Sequence, residues 1–332
     1  MVSVLITARN EKQENLKRTV KSLHETAIDP IEVLVAIDGG EIPDLDNAIV
    51  HVNNTPLGRR VSNNILAAKA DGEYLFFLDA HCNMTPGWDR ELVSACGDIN
   101  LSYCVIQDID EETWEYKPGK YGFVSLNRNL VEKWWDKKPL DQCGPVEQSM
   151  AITGCAWMVK KTSYWELGGY DEHLGPYGYD GPEWSLKVQL ANPPGKVLLC
   201  TNVVCGHVFG TNNGNKLYRP ELMTADQWRE EMYKTYGKAG IDTLIQSFGD
   251  VPDWNALQER TVTINRDETV ETKDQDGKIL KRVIKHHRYV HTDDGQGMTE
   301  KELADKYGPS APYIGEDVYY PNQHGELVKV SA

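Results

Sequence analysis

An unbroken apolar run opens the chain at residues 2–8 (VSVLITA), the pattern of a strand covered on both faces. Residues 13–26 follow with Leu16, Val20 and Leu23 at i, i+4 and i+7, which gives one apolar helical stripe. IEVLVAI at 31–37 predicts a second buried strand, ended by Asp38-Gly39-Gly40, and AIVHV at 48–52 a shorter third. Residues 58–71 suit a helix, and EYLFFLD at 73–79 a fourth strand. This alternation implies an α/β fold with a mostly parallel, doubly wound sheet of the Rossmann-like kind. Such sheets bind ligands beyond the carboxyl ends of their strands, here residues 7–11, 38–40 and 79–83.

Beyond Trp88 the pattern mixes. Residues 101–106 and 151–159 (AITGCAWMV) read as further strands, and residues 182–191 as a helix with Pro182 in its first turn. KVLLCTNVV at 196–204 reads as another buried strand, which delivers Gly206-His207. Trp134-Trp135 reads as acceptor-stacking aromatics or as core, with core favoured. After about residue 250 the chain becomes alternating and charged, with Asp276-Gly277 marking a hairpin turn. We expect a catalytic domain over 1–250 and a small β-rich appendage over 251–332.

Composition narrows the picture modestly. Fifty acidic residues against 35 basic ones give a net charge of −15, which weighs against a broad polyanion-binding face. No run approaches the roughly 20 apolar residues of a membrane span. The N-terminus runs straight into a strand pattern without a basic leader, and the seven cysteines are odd in number and scattered, so we expect reduced thiols and a cytoplasmic location.

Asp79-Ala80-His81 is the sharpest chemical signal. A strand ending in a carboxylate, with an imidazole two residues on, puts two metal-capable groups on one side of the chain. The mix of hard oxygen and borderline nitrogen suits Mn²⁺ or a similar divalent cation. Read alone, the same residues also fit a strand-end Asp capping a turn beside a surface His.

The stretch FFLDAHCNMTPGW (76–88) resembles the Asp-x-His signature of the polypeptide N-acetylgalactosaminyltransferases, enzymes of the glycosyltransferase-A fold. VSVLITARNE at the start, residues 152–188 from ITGCAWMV through Gly-Tyr-Asp to Tyr-Asp-Gly-Pro-Glu-Trp, Gly206-His207-Val208-Phe209 and QWREEMYKTY (227–236) are similar to that family in the same order. The resemblance covers about residues 1–237, the catalytic part, with no counterpart of the family's lectin domain, membrane anchor or stem.

That resemblance implies Asp79, His81 and His207 as metal ligands and a UDP-sugar as donor. It assigns Thr7 and Ala8 to the nucleotide site and Asp38 to the uridine, while Asn63 falls where these enzymes carry a uridine-contacting Arg. Gly154 and Cys155 match a Gly-Gly pair against which the donor sugar packs. Asp180 matches a Glu of the family's Trp-Gly-Gly-Glu-Asn box, Gly181 replaces its Asn, and Glu183 matches a retained acid. These departures imply a sugar other than N-acetylgalactosamine, with UDP-glucose or UDP-N-acetylglucosamine expected. The loop 210–220 reads as a lid whose Lys216, Tyr218 and Arg219 reach the diphosphate.

The function so implied is metal-dependent, retaining transfer of a sugar to a hydroxyl acceptor, a protein Ser/Thr or another polymer. Two alternatives stand beside it: glycosylation of hydroxymethylated bases in DNA, which the net charge disfavours, and non-catalytic binding of a nucleotide sugar.

Overall fold

The computed structural model describes residues 1–209, 222–251, 260–274, 277–293, 313–321 and 326–330. It divides into two compact units, Met1–Pro252 and Asp253–Ala332. In chain order the first unit contains β1 (Val2–Ala8), α1 (Gln13–Thr26), β2 (Ile31–Ile37), β3 (Ile49–Val52), α2 (Arg59–Lys69), β4 (Tyr74–Leu78), β5 (Cys82–Met84) and α3 (Trp88–Cys96). It continues with β6 (Leu101–Ile109), β7 (Tyr116–Tyr121), β8 (Val124–Leu126), β9 (Glu132–Trp134), β10 (Val146–Ser149), β11 (Trp157–Lys160), α4 (Lys161–Glu166), α5 (Asp180–Gln189), β12 (Val197–His207), α6 (Ala225–Tyr236) and α7 (Lys238–Gln246).

The main sheet has the order β10-β12-β6-β11-β4-β1-β2-β3, with β5 paired to β12 and β7 to β6. The pairings β3·β2, β2·β1, β1·β4 and β6·β12 are parallel, whereas β11 enters antiparallel between β4 and β6. The sheet is therefore mixed. Six of its ten strands (β1, β2, β3, β4, β6 and β12) run one way, and their carboxyl ends share one edge.

Alternate side chains of β4 serve the two faces, as strand period requires. Phe76 stacks on Trp88 of α3 at 4.7 Å, in the core that also takes Leu16, Val20 and Leu23 of α1. Phe77 points the other way and stacks on Trp157 at 4.2 Å, at the head of an aromatic layer of Tyr164, Tyr170 and Trp184. Pairs of this kind contribute ~0.5–1.5 kcal/mol each beyond area burial, which fixes the sheet rigidly between its helices.

Two expectations are corrected here. Residues 151–159 are not one strand, since only Trp157–Lys160 joins the ladder. Ala156 sits at φ +61°, and the Ile152 amide donates to Ser185 Oγ instead of to a neighbouring strand, so the segment turns off toward the cleft. The Trp134-Trp135 pair splits: Trp135 is buried, whereas Trp134 is 39% exposed and stacks on Tyr121 at 4.9 Å.

The second unit is a four-stranded antiparallel sheet of β13 (Arg260–Lys273), β14 (Ile279–Asp293), β15 (Tyr313–Pro321) and β16 (Leu327–Val330), in that order. Beside the β13–β14 turn the Asp274 carboxylate accepts the Lys278 amide at 2.8 Å, and Gly277 has φ +82°. Among the described residues, no helix is long and apolar enough to cross a membrane.

Candidate active site

A cleft of about 200 Å³ opens at the carboxyl edge of the main sheet. Its walls come from four places: Asp79 just past β4, His207 at the last position of β12, the 153–155 segment before β11, and Tyr177–Asp180 leading into α5. Arg59 at the start of α2, Ile106 of β6, Glu132 and Trp134 of β9 and Phe209 just past β12 complete it.

The meeting of Asp79 and His207 is a register effect. β5 folds back from the Asp-x-His segment and pairs with the end of β12, so that His207 lies opposite Cys82, and the Val208 amide donates to the His81 carbonyl at 3.1 Å. Close approach here depends on Gly206, because a Cβ at that position would lie 2.1 Å from Asn83 Oδ1. His207 Nε2 then stands 3.2 Å from Asp79 Oδ2, and the His81 and His207 rings meet edge to face at 4.7 Å. His81 Nδ1 bonds Glu11 Oε2 at 3.0 Å, the carboxylate–imidazole arrangement that orients metal-ligating histidines.

Burial works to raise the Asp79 pKa, but the Arg59 guanidinium, with Nη1 2.7 Å from Oδ1, and the His207 imidazole override it and hold the carboxyl well below the usual range. For Asp180 burial prevails: its pKa is raised despite Arg59 and Arg60 at 3.8 and 3.9 Å. Burial likewise pushes Glu132 up to about 7, and the Asp180 carboxylate adds to the effect. For His81 burial works downward, but the Glu11 hydrogen bond and Asp79 raise the imidazole overall.

The donor set fits a divalent cation. Asp79, Cys155 and His207 offer ligand atoms all within 4.8 Å of one another, and His207 Nδ1 is buried with no hydrogen-bond partner. Asp79 is an anion whatever the pH near neutrality, so a bound cation needs no proton removed from it.

Other sequence-predicted residues divide sharply. Gly154, Cys155 and Asp180 line the cleft. Asn63 is buried and accepts from Thr7 Oγ1 at 2.8 Å, which ties α2 to the end of β1. The Ala8 carbonyl accepts the Asp38 amide at 2.8 Å, within the parallel ladder. Asp38 is fully buried and takes Asn53 Nδ2 at 2.7 Å and the amides of Leu57 and Gly58 at 2.6 and 2.9 Å. Its carboxylate shapes the 53–58 turn and does not line the cleft.

Glu183 is also absent from the cleft lining. It is fully buried and holds Arg60 at 3.1 Å, Lys187 at 2.8 Å and the Asp171 amide at 2.8 Å, a structural hub behind the wall. The predicted lid residues Lys216, Tyr218 and Arg219 lie outside the described residues.

Sequence reasoning missed Arg59, Arg60, Glu11 and Glu132. The arginines did leave a signal: two cations at a helix N-terminus oppose the macrodipole and imply fixed anionic partners. For Glu132, within a three-residue strand, no periodicity existed to mark it.

Residues 3–168 match the family described as glycosyl transferase family 2, and the chain belongs to that family, a domain of the glycosyltransferase class. It is 28% identical to polypeptide N-acetylgalactosaminyltransferase 5 of Caenorhabditis elegans, over 77% of this chain and 46% of the relative. To human polypeptide N-acetylgalactosaminyltransferase 12 it is 26% identical, over 78% of the chain and 48% of the relative. The chain thus spans about half the length of these curated relatives. A crystal structure of GalNAc-T7 with UDP, GalNAc and Mn²⁺ shares the fold, with a TM-score of 0.59 and 21% identity, covering 75% of this chain and 52% of that one.

Proposed function

We propose that this domain transfers a sugar from a UDP-sugar to a hydroxyl acceptor, with a divalent cation, and with retention at the anomeric carbon. The observation that carries the reading is the convergence of Asp79 and His207 at the cleft floor, with Arg59 and Asp180 beside them. The GalNAc-T7 structure with UDP and Mn²⁺ supports the choice of ligands.

Asp79 and His207 would hold the cation, with His81 beside them oriented by Glu11. When bound, that ion neutralises charge on the departing diphosphate. Arg59 adds a fixed positive charge at the same edge, where its strong desolvation makes each contact to a phosphate oxygen worth more than in water. Asp180, beside Gly154 in the cleft wall, would accept from a sugar hydroxyl. In the retaining step the bond from the anomeric carbon to the diphosphate oxygen breaks and a bond to the acceptor oxygen forms on the same face. The leaving phosphate oxygen takes the acceptor's proton, so catalysis reduces to positioning and charge stabilisation. The exposed face of Trp134 gives the acceptor an aromatic ledge at the cleft rim.

Cys155 and Asp180 alter the sugar wall, so we infer UDP-glucose or UDP-N-acetylglucosamine as donor over UDP-N-acetylgalactosamine. A donor panel read by UDP release, with and without EDTA, tests both points. We expect release that EDTA abolishes and that His207→Ala removes. Full turnover in EDTA, or a clear preference for UDP-N-acetylgalactosamine, would overturn the corresponding part.

A further inference from the structure

A thiol stands in the cation site, and hard-cation chemistry has no use for one. The Cys155 side chain is 6% exposed, lines the cleft, and places Sγ within 4.8 Å of both a carboxylate oxygen of Asp79 and a ring nitrogen of His207. Behind it Cys82 and Cys205 are fully buried, with Sγ atoms that also lie within 4.8 Å of Cys155, the Cys82–Cys155 separation being 3.7 Å. Cys155 is the only residue that belongs to both groups among the described residues.

We propose that Cys155 is a thiolate ligand of the cation centre, so that a borderline divalent ion such as Zn²⁺ or Co²⁺ is held by Asp79, His207 and Cys155 together. The inference rests on the reading of Asp79 and His207 as a cation site. Oxygen-seeking Mn²⁺ and Mg²⁺ gain little from sulfur, whereas Zn²⁺ and Co²⁺ gain strongly. The geometry is close to what such an ion needs. Bonds of about 2.0–2.3 Å to oxygen, nitrogen and sulfur in a tetrahedron put the donor atoms roughly 3–4 Å apart. Asp79 Oδ2 and His207 Nε2 already stand at 3.2 Å, and the thiol requires only a small rotation or shift. On binding, the sulfur–metal bond forms as the thiol proton passes to solvent. Three protein ligands leave the fourth position open to a water or a phosphate oxygen.

The test is a Co²⁺ titration of the full chain under reducing conditions, followed by absorption spectroscopy. We expect visible ligand-field bands together with a near-ultraviolet thiolate-to-cobalt charge-transfer band. Cys155→Ser, which nearly conserves volume, should lose the charge-transfer band and bind Co²⁺ at least about tenfold more weakly, since losing a ligand costs no less than losing an outer-shell partner. Cys82→Ser and Cys205→Ser should keep the band. Zinc K-edge absorption of the unmutated protein should count one sulfur neighbour, independent of whether any variant folds.

Co²⁺ bound without the charge-transfer band, or zinc without a sulfur neighbour, overturns the proposal while leaving the Asp79–His207 site standing. A band that survives Asp79→Asn and His207→Ala but vanishes with Cys82 or Cys205, or two or more sulfurs at zinc, places the ion in the thiol nest and also overturns it. Absence of any Co²⁺ binding removes the underlying site and this inference with it.

Discussion

Asp79 serves two partners with its two oxygens: Oδ1 faces Arg59 at 2.7 Å and Oδ2 faces His207 at 3.2 Å. Arg59 therefore already neutralises the carboxylate, and it lies beside the proposed cation site, where a diphosphate would also need it. Removing it should leave the fold largely intact but cost a charge-assisted contact of ~1.5–3 kcal/mol in the transition state, about one to two orders of magnitude in turnover. We expect Arg59→Ala to show that loss in UDP release, with Arg59→Lys recovering part of it. Near-normal turnover in Arg59→Ala would mean that the guanidinium only props the cleft wall.

Glu132 yields a pH prediction at the same scale. Its pKa is raised to about 7 by burial and by Asp180, and its Oε2 has no hydrogen-bond partner. A raised carboxyl favours the folded state fully below the ordinary Glu pKa near 4.5, and that contribution is lost as pH rises through about 7. A neutral amide escapes the loss. Glu132→Gln should thus melt close to wild type at pH 5 and gain ~1–2 kcal/mol on it by pH 8, a shift that thermal unfolding across that range would read. A gap that stays constant with pH would show that the carboxyl is solvated.

Among the elements, α5 is the most constrained by its sequence. A Cβ on Gly181 would stand 2.3 Å from the Ile152 carbonyl oxygen, so Gly181 sets how closely the helix approaches the 152–155 segment. We expect Gly181→Ala to destabilise by ~1–3 kcal/mol and to push Gly154 and Asp180 out of register, seen as a lower melting temperature with weaker donor binding. An unchanged melting temperature would refute the steric account. Two residues on, Glu183 holds Arg60, and Arg60→Ala leaves the buried acid with Lys187 and one amide as partners. The loss should come near ~3 kcal/mol, at the lower end for a broken buried pair.

These elements also show what the sequence could express. Strands β1, β2 and β4 are largely apolar runs, because both faces are mostly covered, whereas Thr201-Asn202 interrupt β12 where its ladder shifts between Cys200 and Val204. Strand β5 spans three residues, too few for any period, yet its pairing brings His207 to Asp79. The 151–159 segment is apolar enough to mimic a strand, and only the turn at Ala156 diverts it into the cleft. Asp79 and His207 were legible from motif and order. Arg59 and Glu132 were not, because their roles arise from partners twenty or more residues away.

At the scale of the whole molecule, the two units place the cleft and the antiparallel sheet in separate compact bodies. The residues of the cleft, the aromatic layer and the core around Phe76 all fall within Met1–Pro252. A unit of that size buries enough apolar surface to fold alone, well above the length at which a core becomes marginal. We therefore expect a chain ended at Pro252 to unfold cooperatively and to bind UDP with an affinity within about threefold of the full chain, a difference under ~1 kcal/mol. Calorimetric unfolding and UDP titration of both chains provide the check. A truncated chain that aggregates or lacks a cooperative transition would show that residues 253–332 are required for folding. One that folds normally but binds UDP tenfold more weakly would show that they contribute to the nucleotide site.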